Sequence, residues 1–165
     1  MTTVIAYWLL PAEPRRSFFA EAIAKLATRF NAPTFTPHLT LLIAPENSRA
    51  PTEVVNELGA FAVDLPITGV SFSEQLAKSL FVRFRPTNAL QQLNATVQRL
   101  AGAPGYDLTD PHLSLLYKHL PEETKRKVAR SIQLPFHEAT FDSICAMRCA
   151  SPTSSAADVR AWELV

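Results

Sequence analysis

One short sequence occurs twice in this chain. Residues 36–42 read TPHLTLL and residues 110–116 read DPHLSLL, so the block Pro-His-Leu-(Thr or Ser)-Leu-Leu recurs with one hydroxyl residue exchanged for another. A proline at the first position followed by an apolar run is typical of a strand that begins at the proline. A chain that carries such a strand in each half is expected to fold as two related halves.

Strand and helix patterns alternate along the rest of the chain. Besides the two motifs, strands are predicted at residues 3–10, 67–74, 78–84, 136–149 and 158–164, with residues 151–158 as a loop. Helices are predicted at residues 13–30 and 51–62, after a Thr87 cap, and from Pro121 onward. The order β-α-β-α-β-β-α-β-α-β-β indicates an α+β fold. We expect residues 1–165 to form a single bilobal domain.

The composition argues against several classes of function. A formal charge of +1 on 165 residues gives no field that would hold a long polyanion, which favours a small phosphate compound over bulk nucleic acid. An apolar run near the N-terminus, about eight residues long, lacks a basic leader and is too short to span a bilayer. We therefore expect a cytoplasmic monomer that does not bind a membrane.

The repeated motif places two kinds of polar side chain on one face of a strand. Side chains alternate across a strand, so His38 and Thr40 project together while the leucines project to the other face. His112 and Ser114 have the same spacing. If the two halves face one another, these four side chains converge on one cleft, and the leucines behind them anchor each strand in a core.

This set of side chains suits the hydrolysis of a cyclic phosphodiester. Attack by water needs a base for its proton and an acid for the departing alkoxide, and histidine, with an ordinary pKa of about 6.5, can serve as either. The hydroxyls can donate hydrogen bonds to the phosphate oxygens, which gain charge in the transition state. Nothing in this scheme needs a metal or another cofactor, and the motifs lack a ligand spacing such as His-Glu-x-x-His.

Other polar residues have structural explanations. His119 and His137 have no hydroxyl partner two residues on and are interpreted as surface or structural residues. Asp107 and Asp110 precede the second motif in a turn and are interpreted as turn formers.

Strand geometry also bears on the two cysteines and on Tyr117. On a strand, Cys145 and Cys149 would lie about 13 Å apart, too far for a disulfide, so buried thiols are expected. Tyr117 has the opposite parity to His112, so only a bulge or the strand end would turn it into the cleft.

The paired motif resembles that of the two-histidine (2H) phosphoesterase superfamily. More closely, FTPHLT at 35–40 and PHLSLLY at 111–117 resemble segments of the cyclic phosphodiesterases of plants and yeast, and YWLLPAE at 7–13 is similar to their opening strand. The resemblance implies a bilobal fold in which two antiparallel sheets, related by a pseudo-twofold axis, face a central cleft lined by the motifs, with the helices outside.

The resemblance also implies an activity. It implies cleavage of nucleoside 2′,3′-cyclic phosphates to 2′-phosphates and of ADP-ribose 1″,2″-cyclic phosphate to the 1″-phosphate. It makes His112 the base that activates water and His38 the acid for the leaving oxygen. Trp8 and Tyr117 would border the substrate base. A plant-type aromatic residue is replaced here by Ala77, beside Lys78, which becomes a further candidate for substrate contact.

Three functions remain open at this point. The first is a metal-independent cyclic phosphodiesterase acting on a small nucleotide, and the second is an RNA-end enzyme similar to the bacterial 2′,5′ RNA ligases. The third is a nucleotide-binding module without turnover. Two intact motifs count against the third, and the near-zero charge favours the first over the second.

Overall fold

A computed structural model describes all of residues 1–165. The strands are β1 (Thr2–Pro11), β2 (Leu39–Pro45), β3 (Val63–Phe72), β4 (Leu80–Phe84), β5 (His112–Leu116), β6 (Glu138–Ser151) and β7 (Glu163–Leu164). The helices are α1 (Arg15–Phe30), α2 (Pro51–Leu58), α3 (Asn88–Ala101), α4 (Glu122–Ser131) and α5 (Ala156–Arg160), and a short 3-10 turn lies at Leu76–Lys78. The predicted alternation of elements is confirmed as far as β6.

The last predicted strand is wrong in part, because helix α5 covers the end of the predicted loop and the first residues of that strand. Ser155 caps α5: the Asp158 amide donates to Ser155 Oγ at 3.1 Å, and the Ser155 amide donates to the Asp158 carboxylate at 2.9 Å. This reciprocal capping box favours a helix over the predicted loop and strand. A smaller difference is that the predicted helix 51–62 ends at Leu58, where Gly59 adopts a φ of +71°.

All strand pairs are antiparallel and the sheet closes on itself. The strand order is β1-β2-β5-β4-β3-β6-β7, and β1 also pairs with β6, so six strands form a ring. Between β2 and β5 the ring is held by one residue pair, Leu39 opposite Leu113. The α+β prediction is confirmed, and the two sheets implied by the resemblance are halves of one hydrogen-bonded sheet that nearly divides at this pair.

The leucines of both motifs lie in the core, as the alternation predicts. Leu39, Leu41, Leu113 and Leu115 are all fully buried. Burial of each such side chain stabilises the fold by roughly 1.5–3 kcal/mol relative to exposure. Helices α1 and α3 pack on these strands through the apolar faces that the sequence predicts, whose buried residues are Phe19, Ile23, Leu26, Leu90, Leu93, Val97 and Leu100.

Each motif strand contains a one-residue bulge at the same place. In the β1–β2 pair, Tyr7 lies opposite Leu42 and Trp8 opposite Thr40, so that Leu41 has no partner. In the β4–β5 pair, the partner of Leu80 is Leu116 and that of Phe81 is Ser114, so Leu115 is the extra residue. Both extra residues directly follow the hydroxyl residue of the motif.

The bulges change which side chains face the cleft. An extra residue shifts the alternation of a strand by one position. The residues five positions after each histidine, Ile43 and Tyr117, therefore join the face of the histidines instead of lying behind the sheet. The condition under which Tyr117 was predicted to face the cleft is thus met.

Buried polar side chains hold the backbone next to each bulge. Asn94 Nδ2 of α3 donates to the carbonyl of Leu41 at 2.7 Å, and Ser79 Oγ donates to the carbonyl of Leu116 at 2.5 Å. Asn94 and Ser79 are both buried. A buried carbonyl needs a hydrogen-bond donor, so these two side chains stabilise the backbone at the bulges.

Replacing Asn94 is expected to destabilise the fold through the first bulge. Asn94→Ala removes the donor to the Leu41 carbonyl, which should lower the free energy of unfolding by about 1–3 kcal/mol in urea titrations. The matched control is Asn56→Ala on the exposed face of α2, which should change it by less than about 0.5 kcal/mol. Equal effects of the two substitutions would contradict this account of the bulge.

Candidate active site

The structure brings the four motif residues into one pocket. A cavity of about 200 Å³, called here the histidine pocket, is lined by His38, Thr40, His112 and Ser114 together. Its other lining residues are Ile43, Gln75, Ala77, Lys78, Tyr106 and Tyr117. His38 lies directly before β2 and His112 begins β5, so the near-division of the sheet between these strands opens the space for the pocket.

Both histidine rings are oriented by the backbone in the same way. His38 Nδ1 lies 2.7 Å from the carbonyl oxygen of Thr36, and His112 Nδ1 lies 2.9 Å from that of Asp110. A carbonyl oxygen only accepts hydrogen bonds, so Nδ1 carries the proton in each neutral ring. The Nε2 atom is therefore the one that can accept or donate a proton in both histidines.

Burial favours the neutral form of both rings. His38 stacks on Trp8 with ring centroids 3.6 Å apart, and burial lowers the pKa of His38 to about 4 although the Thr36 carbonyl opposes this. Burial also lowers the pKa of His112, against the effect of the Asp110 carbonyl. An anion bound between the rings would raise both pKa values, because it favours the imidazolium form.

The two hydroxyls of the pocket differ in their hydrogen bonds. Ser114 Oγ donates its proton to the carbonyl of Ala77 at 2.7 Å, whereas the Thr40 hydroxyl has no such protein partner. A hydroxyl has one proton, so Ser114 must release Ala77 before it can donate to a phosphate. Thr40 is available without any rearrangement.

A larger, mostly apolar cavity adjoins the histidine pocket. It has a volume of about 510 Å³ and is called here the apolar pocket. The residues it shares with the first are His38, Thr40, Ile43, Gln75, Ala77 and Tyr117. Trp8 and Trp162 line it together with residues 149–153 at the end of β6. The two aromatic residues predicted to border the substrate, Trp8 and Tyr117, therefore both line a cavity next to the histidines, although each is nearly buried.

Sequence reasoning missed Trp162. Its ring lies edge-on against Trp8, His38 and Tyr117, with centroid distances of 5.0, 5.8 and 5.3 Å. Its Nε1 atom is buried without a hydrogen-bond partner. The only signal in the sequence was an isolated tryptophan in the last predicted strand, and no spacing relates that position to either motif.

Lys78 lines the histidine pocket and belongs to an ion-pair cluster. Lys78 Nζ lies 2.5 Å from Asp110 Oδ2, and Arg83 Nε lies 3.0 Å from Asp110 Oδ1. Burial opposes the shift, but the two cations hold the pKa of the Asp110 carboxyl below its ordinary value. Asp110 is therefore more than the turn former that the sequence indicated, since it also positions two cations beside His112.

The other predictions for polar residues have mixed outcomes. His119 and His137 are exposed, as expected for surface residues. The cysteines Cys145 and Cys149 are both free, but they are half-buried rather than buried, and Cys149 lines the apolar pocket. No group of three or more His, Cys, Asp or Glu side chains lies close enough together to hold a metal ion. None of the helices has the length and apolarity needed to cross a membrane.

The fold and the site together define a class. Two imidazoles and two hydroxyls, one pair from each of two similarly bulged strands, converge in an antiparallel α+β structure. This arrangement agrees with the resemblance to the two-histidine phosphoesterases, and the chain is similar in sequence to a cyclic phosphodiesterase and in fold to LigT.

Comparison with known proteins supports this class. The chain is 28% identical over 130 residues to the cyclic phosphodiesterase of Arabidopsis thaliana, a match that covers 74% of this chain and 70% of that protein. The structure of E. coli LigT in complex with 3′-AMP has the same fold, with a TM-score of 0.50 and 13% identity over 100% of this chain and 95% of that one. LigT in its apo form gives a TM-score of 0.50 with 14% identity over 99% and 93% of the two chains. No family model matches the sequence.

Anion binding should be linked to proton uptake. Sulfate keeps its charge between pH 5 and 7.5, so only the protein titrates, and binding should protonate the neutral histidines. Affinity should rise as the pH falls, by at most about tenfold per pH unit for each proton taken up, until the free pKa is reached. Calorimetric titration with sulfate in buffers of different ionisation enthalpy counts these protons.

Two variants separate the histidine pocket from the rest of the protein in this titration. His38→Gln should lose one proton of uptake. His119→Gln, at an exposed histidine, should behave as the unmodified protein does. Sulfate binding with no proton uptake at any pH would contradict the assignment of neutral rings before the anion binds.

Proposed function

We propose that this chain hydrolyses the cyclic phosphodiesters of small nucleotides without a metal ion. The substrates are nucleoside 2′,3′-cyclic phosphates, opened to 2′-phosphates, and ADP-ribose 1″,2″-cyclic phosphate, opened to the 1″-phosphate. The observation that carries the proposal is the convergence of two available Nε2 atoms and two hydroxyls on one 200 Å³ pocket. Its size suits a phosphate with the edge of a ribose, and the adjoining apolar pocket suits a nucleobase.

In the proposed mechanism each side chain has one role. His112 Nε2 takes a proton from water as the water oxygen attacks phosphorus, while Thr40 and Ser114 donate to the non-bridging oxygens. The bond from phosphorus to the 3′ oxygen breaks, and His38 Nε2–H gives its proton to that oxygen. The cycle ends when His112 releases its proton to solvent and the product leaves, and His38 stays neutral until the next substrate binds.

The assignment of acid and base follows the resemblance, and the burial of His38 sets a condition on it. A ring with a pKa of about 4 is neutral before substrate arrives. His38 can therefore act as the acid only once the bound phosphate has raised its pKa and the ring has taken a proton from solvent. The negative charge of the substrate is thus part of the mechanism, because it creates the acid that its own cleavage needs.

Processing of RNA ends by a 2′,5′ RNA ligase-like enzyme is the second candidate. The same fold occurs in E. coli LigT, whose complex contains 3′-AMP, and this favours a nucleotide ligand for both proteins. An oligonucleotide with a cyclic-phosphate end offers the same reacting group to the histidine pocket. Binding without turnover, the third function left open by the sequence, requires that neither candidate substrate is cleaved.

Loss of either histidine should abolish most of the activity. With a chelator present and nucleoside 2′,3′-cyclic phosphate as substrate, His38→Ala and His112→Ala should each lower kcat by about 10²–10⁴, because one proton transfer is lost. His119→Ala is the matched control and should keep full activity. A chelator should leave the rate of the unmodified protein unchanged, since acid and base are both side chains.

Substrates with different leaving groups test the two roles. A very good leaving group needs no acid, so it should restore the rate of His38→Ala but not that of His112→Ala. Rescue of His112→Ala instead would reverse the roles. Near-normal turnover by either folded variant, or activity that depends on one divalent ion, would overturn the mechanism.

Removal of the hydroxyls should slow the reaction to different extents. Thr40→Ala should lower kcat by about 10²–10³, because a free donor to the transition state is lost, and Thr40→Ser should cost much less. Ser114→Ala should cost less than Thr40→Ala, since donation by Ser114 first requires loss of its bond to Ala77. Measurement of kcat for the three variants on one substrate checks this order, and a larger loss for Ser114→Ala would contradict it.

A further inference from the structure

Two cations beside the histidine pocket have more donors than their partner uses. Lys78 and Arg83, called here the basic rim, both pair with Asp110, Lys78 through one N–H of its ammonium group and Arg83 through Nε. The remaining N–H groups of both side chains are not used in these pairs. Two positive charges against one carboxylate leave the cluster with an excess of one positive charge.

The basic rim lies at the His112 end of the site. Arg83 is the cross-strand partner of His112, so their side chains share one face of the sheet, and Lys78 lines the histidine pocket. Both cations lie over the ring of Phe81, at 4.9 Å and 5.4 Å from its centroid, and the same ring is 5.4 Å from that of His112. The apolar pocket is lined by His38 and by neither His112 nor Lys78, although Gln75 and Ala77 line both pockets.

The shape of a ribose matches this arrangement. In a ribose whose 2′,3′ edge carries the cyclic phosphate, the base is bonded to C1′, next to C2′. The 5′ carbon is bonded to C4′, next to C3′. The two substituents therefore lie at opposite ends of the reacting edge, both on the ring face that is opposite to the cyclic phosphate. If the base enters the apolar pocket beside His38, the 5′ carbon is directed towards the basic rim beside His112.

We propose that Lys78 and Arg83 bind a phosphate on the 5′ carbon of the ribose that carries the cyclic phosphate. This inference rests on the proposed function and narrows its substrate class. A 5′-phosphate carries about −1.5 to −2 charges and three acceptor oxygens, which the unused N–H groups of the rim can satisfy. Asp110 keeps two mutually repelling cations side by side and leaves most of their donors free.

The required group occurs in two kinds of substrate. An oligonucleotide end has a phosphodiester on the 5′ carbon of its last ribose, next to the 3′ end of the reacting edge. ADP-ribose 1″,2″-cyclic phosphate has a diphosphate on the 5″ carbon, which lies across the ring from its reacting edge. Both groups are esters and carry about one negative charge per phosphate. A simple nucleoside 2′,3′-cyclic phosphate has a hydroxyl on the 5′ carbon. The basic rim therefore favours the first two over the simple nucleoside.

Matched ligands that differ only in the 5′-phosphate test the proposal. Affinity is compared by calorimetry for adenosine 2′-phosphate and adenosine 2′,5′-bisphosphate at one fixed, low salt concentration. The value of kcat/KM is compared for adenosine 2′,3′-cyclic phosphate with and without a 5′-phosphate. The 5′-phosphate should improve both quantities by about tenfold, the effect of one charge-assisted contact.

Variants identify the residues that produce this preference. Arg83→Gln and Lys78→Gln should each lower the ratio within a ligand pair towards one, and Arg83→Lys should retain part of it. Arg99→Gln removes the same charge from the exposed face of α3, away from both pockets, and should leave the ratio as it is. The value of kcat/KM is also measured for ADP-ribose 1″,2″-cyclic phosphate and for a dinucleotide that ends in a cyclic phosphate. The substrate whose kcat/KM falls more in Arg83→Gln is the one that depends more on the basic rim.

The outcomes separate this inference from the proposed function. Equal affinities within the bisphosphate pair would overturn the inference, as would a preference that survives in both Arg83→Gln and Lys78→Gln. If no cyclic phosphate is cleaved, the proposed function fails, but the ratio of affinities for the bisphosphate and the monophosphate still tests the role of the basic rim. If all are cleaved with equal kcat/KM and bound equally, the function stands and the rim has no such role.

Discussion

The active site depends on one extra residue in each motif strand. Leu41 and Leu115 follow the hydroxyl residues and shift the alternation of their strands. Ile43 and Tyr117 then face the histidines and close the pocket with apolar surface. That surface excludes water from the rings, and this exclusion is the physical cause of their lowered pKa values. The bulged backbone in turn requires polar partners from outside the ladder, which α3 and the turn before β4 supply.

Neutral histidines before substrate binding have a mechanistic advantage. Neutral imidazoles can be buried at far lower cost than imidazolium ions, so the fold can keep His38 almost inaccessible without a partner charge. Charge appears only when an anion arrives, and then in a region of low dielectric where attraction is strong. The charged residues of the site, Lys78, Asp110 and Arg83, lie towards its outer side, where water offsets the cost of keeping them ionised.

Much of this site was predictable because strand geometry is local. The spacing of His38 and Thr40 fixes their common face whatever the fold, and the leucines between identify the buried side. Contacts made by distant parts of the chain follow no such rule. Trp162 reaches the rings through a helix whose cap, Ser155, is visible in the sequence but whose direction is not. Arg83 is opposite His112 only through the register of β4 on β5, which no local pattern specifies.

The single pairing of Leu39 with Leu113 has a consequence for how the site arises. These residues are far apart in the chain, so the contact closes a long loop and belongs to the slow, non-local part of folding. Until it forms, each half of the chain presents one imidazole and one hydroxyl and can hold a phosphate from one side only. Completion of the sheet and appearance of activity should therefore be the same event, and no fragment of the chain should retain partial turnover.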